Sequence, residues 1–250
     1  MRAPSRADFG FASRVGFGNR LGMDWPKQCA AVVPCLNEAA GLGSVVEGVR
    51  RYLPAVIVVD DGSSDATAAL AEAAGAEVIR HPHTQGKGAA LTTGWRRARE
   101  RGFRWALCLD GDGQHASEDI PNFFQCAADT GATLIIGNRM GNTGAMPFVR
   151  RWVNRWLSRR ISALAGRELP DTQCGFRLMD LPAWSRLSVE AHHFEIESEV
   201  LLAFLAADER VEFVPVAAHY KRQQSKIHPV RDSLRWFRWW RRVRATFRRA

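Results

Sequence analysis

No stretch of this chain of 250 residues comes near the roughly 18 to 20 consecutive apolar residues that a helix needs to cross a bilayer. Its N-terminus is basic but has no apolar core of the kind that marks an export signal. The expectation is a protein that neither spans a membrane nor is secreted. Cysteine is sparse: Cys29, Cys35, Cys108, Cys126 and Cys174 are odd in number, and no two form a CxxC pair. That supports neither a disulfide framework nor a zinc site, and it fits a reducing compartment such as the cytoplasm. Several ligand-binding loops are missing too. The first apolar run leads into "VPCLNEAAGLG" rather than GxGxxG, and "HTQGKGAA" lacks the full GxxxxGK[ST] spacing, so dinucleotide and P-loop chemistry fall away. "DGDGQH" has no terminal Glu to make it an EF-hand. No internal repeat of roughly 20 to 50 residues is present.

What is there is an ordinary globular composition, 46% hydrophobic and 24% charged, carrying a formal net charge of +9. A chain of this length buries one substantial core, and the basic excess points to an anionic partner. The first 25 residues are rich in Gly, Arg and Ser without clear periodicity, so residues 1–25 are read as a flexible tail. From Cys29 on, short apolar runs alternate with helical patterns. "CAAVVP", "AVIVVD", "AEVIR", "RWALCLD" and "ATLIIGN" read as strands; "LGSVVEGVRRYL", "SSDATAALAEAAG" and "SEDIPNFFQCAADTG" read as helices, the second capped by Ser63 or Ser64. This alternation predicts an α/β domain with a mostly parallel central sheet and helices on both faces. Beyond Asn138 it loosens into an Arg-rich amphipathic helix, "DTQCGFRLMD", the helix "FEIESEVLLAFLAA" and a strand "RVEFVPV", an elaboration of the same sheet.

In open α/β sheets, ligands bind at the carboxyl ends of the strands. Asp60, Asp61, Asp110 and Asp112 all fall there, which predicts that they converge on one crevice. Asp110 and Asp112 are one residue apart and repel each other unless a cation or proton lies between them. A hard divalent ion, Mg²⁺ or Mn²⁺, suits such a pair and leaves coordination positions for substrate phosphates. A solvated polar turn is the plain alternative.

In order along the chain, "VVPCLNE", "VVDDGSSD", "GKGAAL", "LDGDGQH", "GNR" and "DTQCGFRL" resemble the motifs of the inverting family-2 glycosyltransferases. "DGDGQH" and the later "MPFVRR" are most similar to those of the dolichyl-phosphate and polyprenyl-phosphate sugar synthases. The resemblance implies a single-domain nucleotide-diphospho-sugar transferase fold of GT-A type, with residues 26–228 as the catalytic domain. It implies a nucleotide site at Pro34, Asn37, Glu38, Asp60, Asp61, Lys87 and Asp110, and a metal and diphosphate site at Asp110, Asp112 and Gln114. It also implies acceptor binding by Arg139, Arg150, Arg222 and Lys226, with Asp112, Arg139 and Asp171 closest to the chemistry.

The implied reaction is metal-dependent, inverting transfer of a hexose from a UDP- or GDP-linked donor to a polyprenyl phosphate or similar membrane lipid. An acceptor phosphate is largely dianionic at neutral pH and needs no strong base; Arg suits it because the planar guanidinium binds phosphate oxygens bidentately. Arg222 stands only three residues before Ser225 and Lys226, a closer spacing than in the synthases, which leaves open a glycan or lipid hydroxyl with Asp171 or Glu197 as base. Glu195, Glu197 and Glu199 otherwise read as a solvated helix face, and His115 as a supporting hydrogen-bond partner.

Residues 229–250 form a basic aromatic stretch in which Trp236, Trp239, Trp240, Val243 and Phe247 share one helix side. Such a helix can lie in an anionic membrane surface, making the protein peripheral on the cytoplasmic face, or it can pack on the domain. A non-catalytic membrane or nucleic-acid binding module is the alternative from another class. Nucleic acid is not expected as a partner, because the strand-end carboxylates would repel its backbone.

Overall fold

The computed structural model describes residues 23–141, 146–217, 219 and 229–247. The chain opens with a short helix α1 (Trp25–Gln28), strand β1 (Cys29–Cys35), α2 (Leu42–Arg50), β2 (Val56–Asp60), α3 (Thr67–Ala73), β3 (Glu77–Arg80), α4 (Lys87–Glu100) and β4 (Trp105–Cys108). There follow α5 (Ile120–Thr130), β5 (Leu134–Asn138), α6 (Phe148–Ala165), β6 (Arg177–Asp180), α7 (Leu181–Ser185), α8 (Ile196–Ala206), β7 (Val211–Pro215) and α9 (Pro229–Phe247). Trp25, assigned to the tail by its composition, is buried and stacks on Phe124 at 4.5 Å between ring centroids, so the packed structure begins before residue 26.

Every residue of β1, β2 and β4 is buried, which is why these strands read as unbroken apolar runs: helices cover both faces of the sheet. The seven strands lie in the order β3-β2-β1-β4-β6-β5-β7. All neighbours pair parallel except β6, which runs antiparallel to both β4 and β5. This reversed strand was not legible in "DTQCGFRLMD". It has a direct consequence for the site: because Arg177 pairs with Cys108, the segment leading into β6 arrives at the carboxyl end of β4, beside Asp110.

Two local expectations need correction. Ser63 and Ser64 do not cap α3, which begins at Thr67; they hold the loop after β1 instead. The aromatic side of α9 is not presented to solvent. Trp239 is only 3% exposed and donates its Nε1 proton to Glu199 Oε2 at 2.5 Å. Trp236 stacks on Trp240 at 5.2 Å and meets Trp156 of α6 at 5.6 Å, and Val243 packs against the core. The side chain of Phe247 lies outside the described residues. The face predicted to meet lipid therefore packs on the domain. The exposed apolar residues of this region lie elsewhere, at Phe148 (71%), Val149 (72%) and Trp152 (60%) on α6, and at Phe237 on the outer side of α9. No helix among the described residues is long and apolar enough to cross a membrane.

Candidate active site

The loops after β1, β2 and β4, the segment entering β6 and the turn before α4 meet at one edge of the sheet. Asn37 takes a left-handed backbone conformation (φ 52°), which Asn tolerates better than most residues. Its N–H donates to Ser63 Oγ at 2.8 Å and its side-chain carbonyl accepts from Ser64 N at 2.9 Å. The Glu38 N–H donates to Thr67 Oγ1 at 2.8 Å. These contacts join the loops after β1 and β2 into one wall, next to the buried Pro34.

Asp60 and Asp61 are both buried, and each is engaged by groups other than Asp110 and Asp112. Asp60 is fully buried; Oδ1 accepts from Ser63 N at 2.9 Å, and Oδ2 lies 3.3 Å from Arg80 Nε. In this structure Asp60 shapes the turn after β2 rather than lining the open cleft. Asp61 is also buried: its oxygens accept from Gln85 N (2.9 Å) and Gly86 N (2.8 Å), and Oδ1 lies 2.8 Å from His81 Nδ1. In this structure Asp61 pins the glycine-rich turn that starts α4. Gly86 has φ 107°, and a Cβ there would lie 2.1 Å from His193 Nδ1, so only glycine fits.

Lys87, the first residue of α4, is thereby aimed inward. Its Nζ lies 2.6 Å from Asp110 Oδ1 and 2.6 Å from Glu197 Oε1. The lysine is largely buried, and it neither faces water nor stands alone. Burial by itself would lower its pKa, but Asp110 and Glu197 outweigh that and hold it above the usual lysine value. Burial likewise pushes Asp110 up, yet Lys87 and His115 hold its carboxyl well below the usual carboxylate range. His115 Nε2 is 3.6 Å from Asp110 Oδ2, its ring packs near Phe176, and its Nδ1 is buried with no hydrogen-bond partner among the described residues. Gly175 completes this pocket, because a Cβ there would lie 3.0–3.1 Å from both Asp110 oxygens and from Lys87 Nζ.

Asp112 turns the other way. Its Oδ1 accepts from Gln114 N at 3.0 Å and its Oδ2 from Gln114 Nε2 at 2.6 Å. Gln114 Oε1 in turn accepts from Arg150 Nη1 at 3.1 Å, so the first turn of α6 reaches the loop after β4. Arg139 and Asp171 meet as a buried pair: Nε to Oδ2 at 2.8 Å, Nη2 to Oδ1 at 2.9 Å, with the Arg139 N–H also donating to Oδ2 at 3.1 Å. Asp171 is fully buried, and its Oδ1 also accepts from Gln173 N. Arg222 and Lys226 lie outside the described residues.

Sequence reasoning misplaced one participant and missed another. Glu197, read as a candidate base or otherwise as part of a solvated face, is buried with most of α8. Arg177 is buried and donates to the carbonyls of Thr172, Cys174 and Glu197, stitching the segment before β6 to the start of α8. Burial draws its pKa down from the usual arginine value.

The donor set suits a hard divalent cation. Asp110 offers a carboxylate beside the space that a Cβ at Gly175 would fill, and Asp112 and Gln114 on the same loop offer carboxylate and carbonyl oxygens. Among the described residues no group of three His, Cys, Asp or Glu side chains is placed to hold a metal.

Residues 30–186 match the family model described as glycosyl transferase family 2. The UDP-N-acetylglucosamine--dolichyl-phosphate N-acetylglucosaminyltransferase of Methanococcus voltae is 28% identical over 212 residues, covering 76% of this chain and 84% of that protein. The undecaprenyl-phosphate mannosyltransferase of Micrococcus luteus is 32% identical over 162 residues, covering 62% of this chain and 63% of that one. Among solved structures, glucosyl-3-phosphoglycerate synthase from Mycobacterium tuberculosis, in complex with Mn²⁺, UDP and phosphoglyceric acid, superposes with a TM-score of 0.63. It shares 22% identity and is matched over 79% of this chain and 72% of that one, a likeness of fold. This chain belongs to glycosyl transferase family 2 and is a glycosyltransferase.

Proposed function

We propose that this enzyme moves a hexose from a nucleoside diphosphate sugar to a polyprenyl phosphate, with inversion at the anomeric carbon. The observation that carries the reading is the Arg150 to Gln114 contact at 3.1 Å, which puts a guanidinium from a helix beside the Asp112 loop. Asp110 and Asp112 would hold the divalent ion, which when bound supplies charge stabilisation for the departing diphosphate. Pro34, Asn37 and Glu38 form one wall of the nucleoside cleft, with Asp61 fixing the turn that closes its far side. Lys87 lies where its ammonium can meet donor phosphate, and Arg150 is set to orient the acceptor dianion for attack opposite the leaving group. The nucleophile carries its own charge, so no protein base is needed. This agrees with Asp171 and Glu197 both being engaged by cations, and it disfavours a hydroxyl acceptor.

Such an acceptor lives in a membrane, and the surface that fits is the exposed side of α6. Phe148, Val149 and Trp152 project there, with Arg155 and Arg159 on the same helix to meet anionic headgroups. The enzyme then works as a peripheral protein on the face where donors are made.

The deciding experiment supplies Mn²⁺ and a panel of UDP- and GDP-sugars, with polyprenyl phosphate or the unphosphorylated polyprenol. Nucleoside diphosphate release that requires the phosphate is expected. Equal release with the alcohol, or no release with any donor, overturns the reading.

A further inference from the structure

Lys87 answers a question the Asp-x-Asp pair raises, namely which cation relieves the carboxylates before a metal arrives. Its Nζ sits on Asp110 Oδ1 at 2.6 Å. Left alone, that ammonium would compete with a divalent ion for the same oxygen and would subtract one charge from the site permanently. It is not left alone, because Glu197 Oε1 is equally close, at 2.6 Å. Two carboxylates, Asp110 and Glu197, thus share one ammonium, so Glu197 offsets the charge that Lys87 would otherwise take from Asp110. The glutamate is held firmly: it stands in the first turn of α8, and its carbonyl accepts from the buried Arg177 Nη1 at 2.6 Å. Its second oxygen is buried with no hydrogen-bond partner among the described residues. Burying a carboxylate with one oxygen unspent costs stability, so packing does not account for it.

We infer that Glu197 is a positioning residue which, as counter-ion to Lys87, sets how tightly the Asp110–Asp112 pair takes a divalent cation. The inference rests on the metal-assisted reading proposed above. When a cation takes Asp110, Lys87 keeps Glu197 as its anchor and remains beside the cleft as a point charge for donor phosphate. Glu197 itself touches neither donor nor acceptor and acts through the lysine.

The test is a Mn²⁺ titration of the full chain without nucleotide, read by electron paramagnetic resonance of the free ion. E197Q keeps the shape but removes the counter-charge, and Mn²⁺ affinity should fall about 10- to 100-fold, the range for groups that orient metal ligands. K87M removes the competing ammonium and should shift affinity the opposite way, towards tighter binding. Circular dichroism melts establish that each variant is folded. Unchanged Mn²⁺ affinity in folded E197Q, or unchanged or weaker affinity in K87M, overturns the inference. If E197Q does not fold, K87M alone decides by the same criterion. Wild-type chain that takes up no Mn²⁺ even with saturating UDP overturns the metal-assisted reading, and the role of Glu197 with it.

Discussion

Arg139 and Asp171 form a two-pronged ion pair with both side chains buried, at 2.8 and 2.9 Å. The pair ties the end of β5 to the segment that enters β6. Removing one partner strands the other charge, at a cost of about 3 to 5 kcal/mol. Asp171→Asn is therefore expected to lower the urea midpoint sharply. A base would instead lose activity at unchanged stability, and that result would restore Asp171 to the chemistry.

Arg150 lies outside this buried pair and reaches the metal loop through Gln114 Oε1 at 3.1 Å. Arg150→Ala should raise the KM for the phosphate acceptor about 10- to 100-fold, the scale of one lost hydrogen bond to a charged group. Affinity for UDP, measured by calorimetry in the presence of Mn²⁺, should change little. Asp112→Asn should do the reverse, abolishing Mn²⁺-dependent UDP binding.

The Lys87–Asp110 contact also sets a pH dependence. The Asp110 pKa lies below its unfolded value, so its contribution to stability is present above about pH 4 and is lost as pH falls towards the folded value. The Lys87 pKa lies above its unfolded value, so its contribution is complete below about pH 10 and fades as pH rises through the folded value. Wild type should exceed Asp110→Asn by about 2 kcal/mol across that window, with the gap closing under acid. Urea titrations at pH 3, 5, 7 and 9 read this directly; a gap that widens at pH 3 would contradict it.

The first half of the fold was open to reading because β1, β2 and β4 are covered on both faces and their sequences are continuous apolar runs. Asp110 and Asp112 could be placed at a strand end for the same reason. β6 was hidden because its four residues, "RLMD", begin and end on charged side chains and lack the apolar run that marks β4, and nothing local gives a strand's direction. Lys87, Asp110 and Glu197 meet only through tertiary packing, and local pattern contains no trace of that meeting. The aromatic spacing of α9 was correctly seen, but a one-sided aromatic helix gives the same pattern whether lipid or core protein covers it.

That ambiguity yields the last prediction, which separates two helices by what each apolar face does. Trp239 is 3% exposed and bonded to Glu199, so Trp239→Ala should destabilise the domain by about 3 to 5 kcal/mol. Phe148 and Trp152 are 71% and 60% exposed, so replacing both with Ser should leave the melting temperature within a degree or two. The same double variant should lose tenfold or more in binding to anionic vesicles, since inserting an aromatic side chain contributes on the order of 1 to 3 kcal/mol. Flotation with vesicles containing roughly one third acidic lipid measures this. Full flotation of the Phe148/Trp152 variant would remove α6 from the membrane surface and leave the enzyme to meet its acceptor by another face.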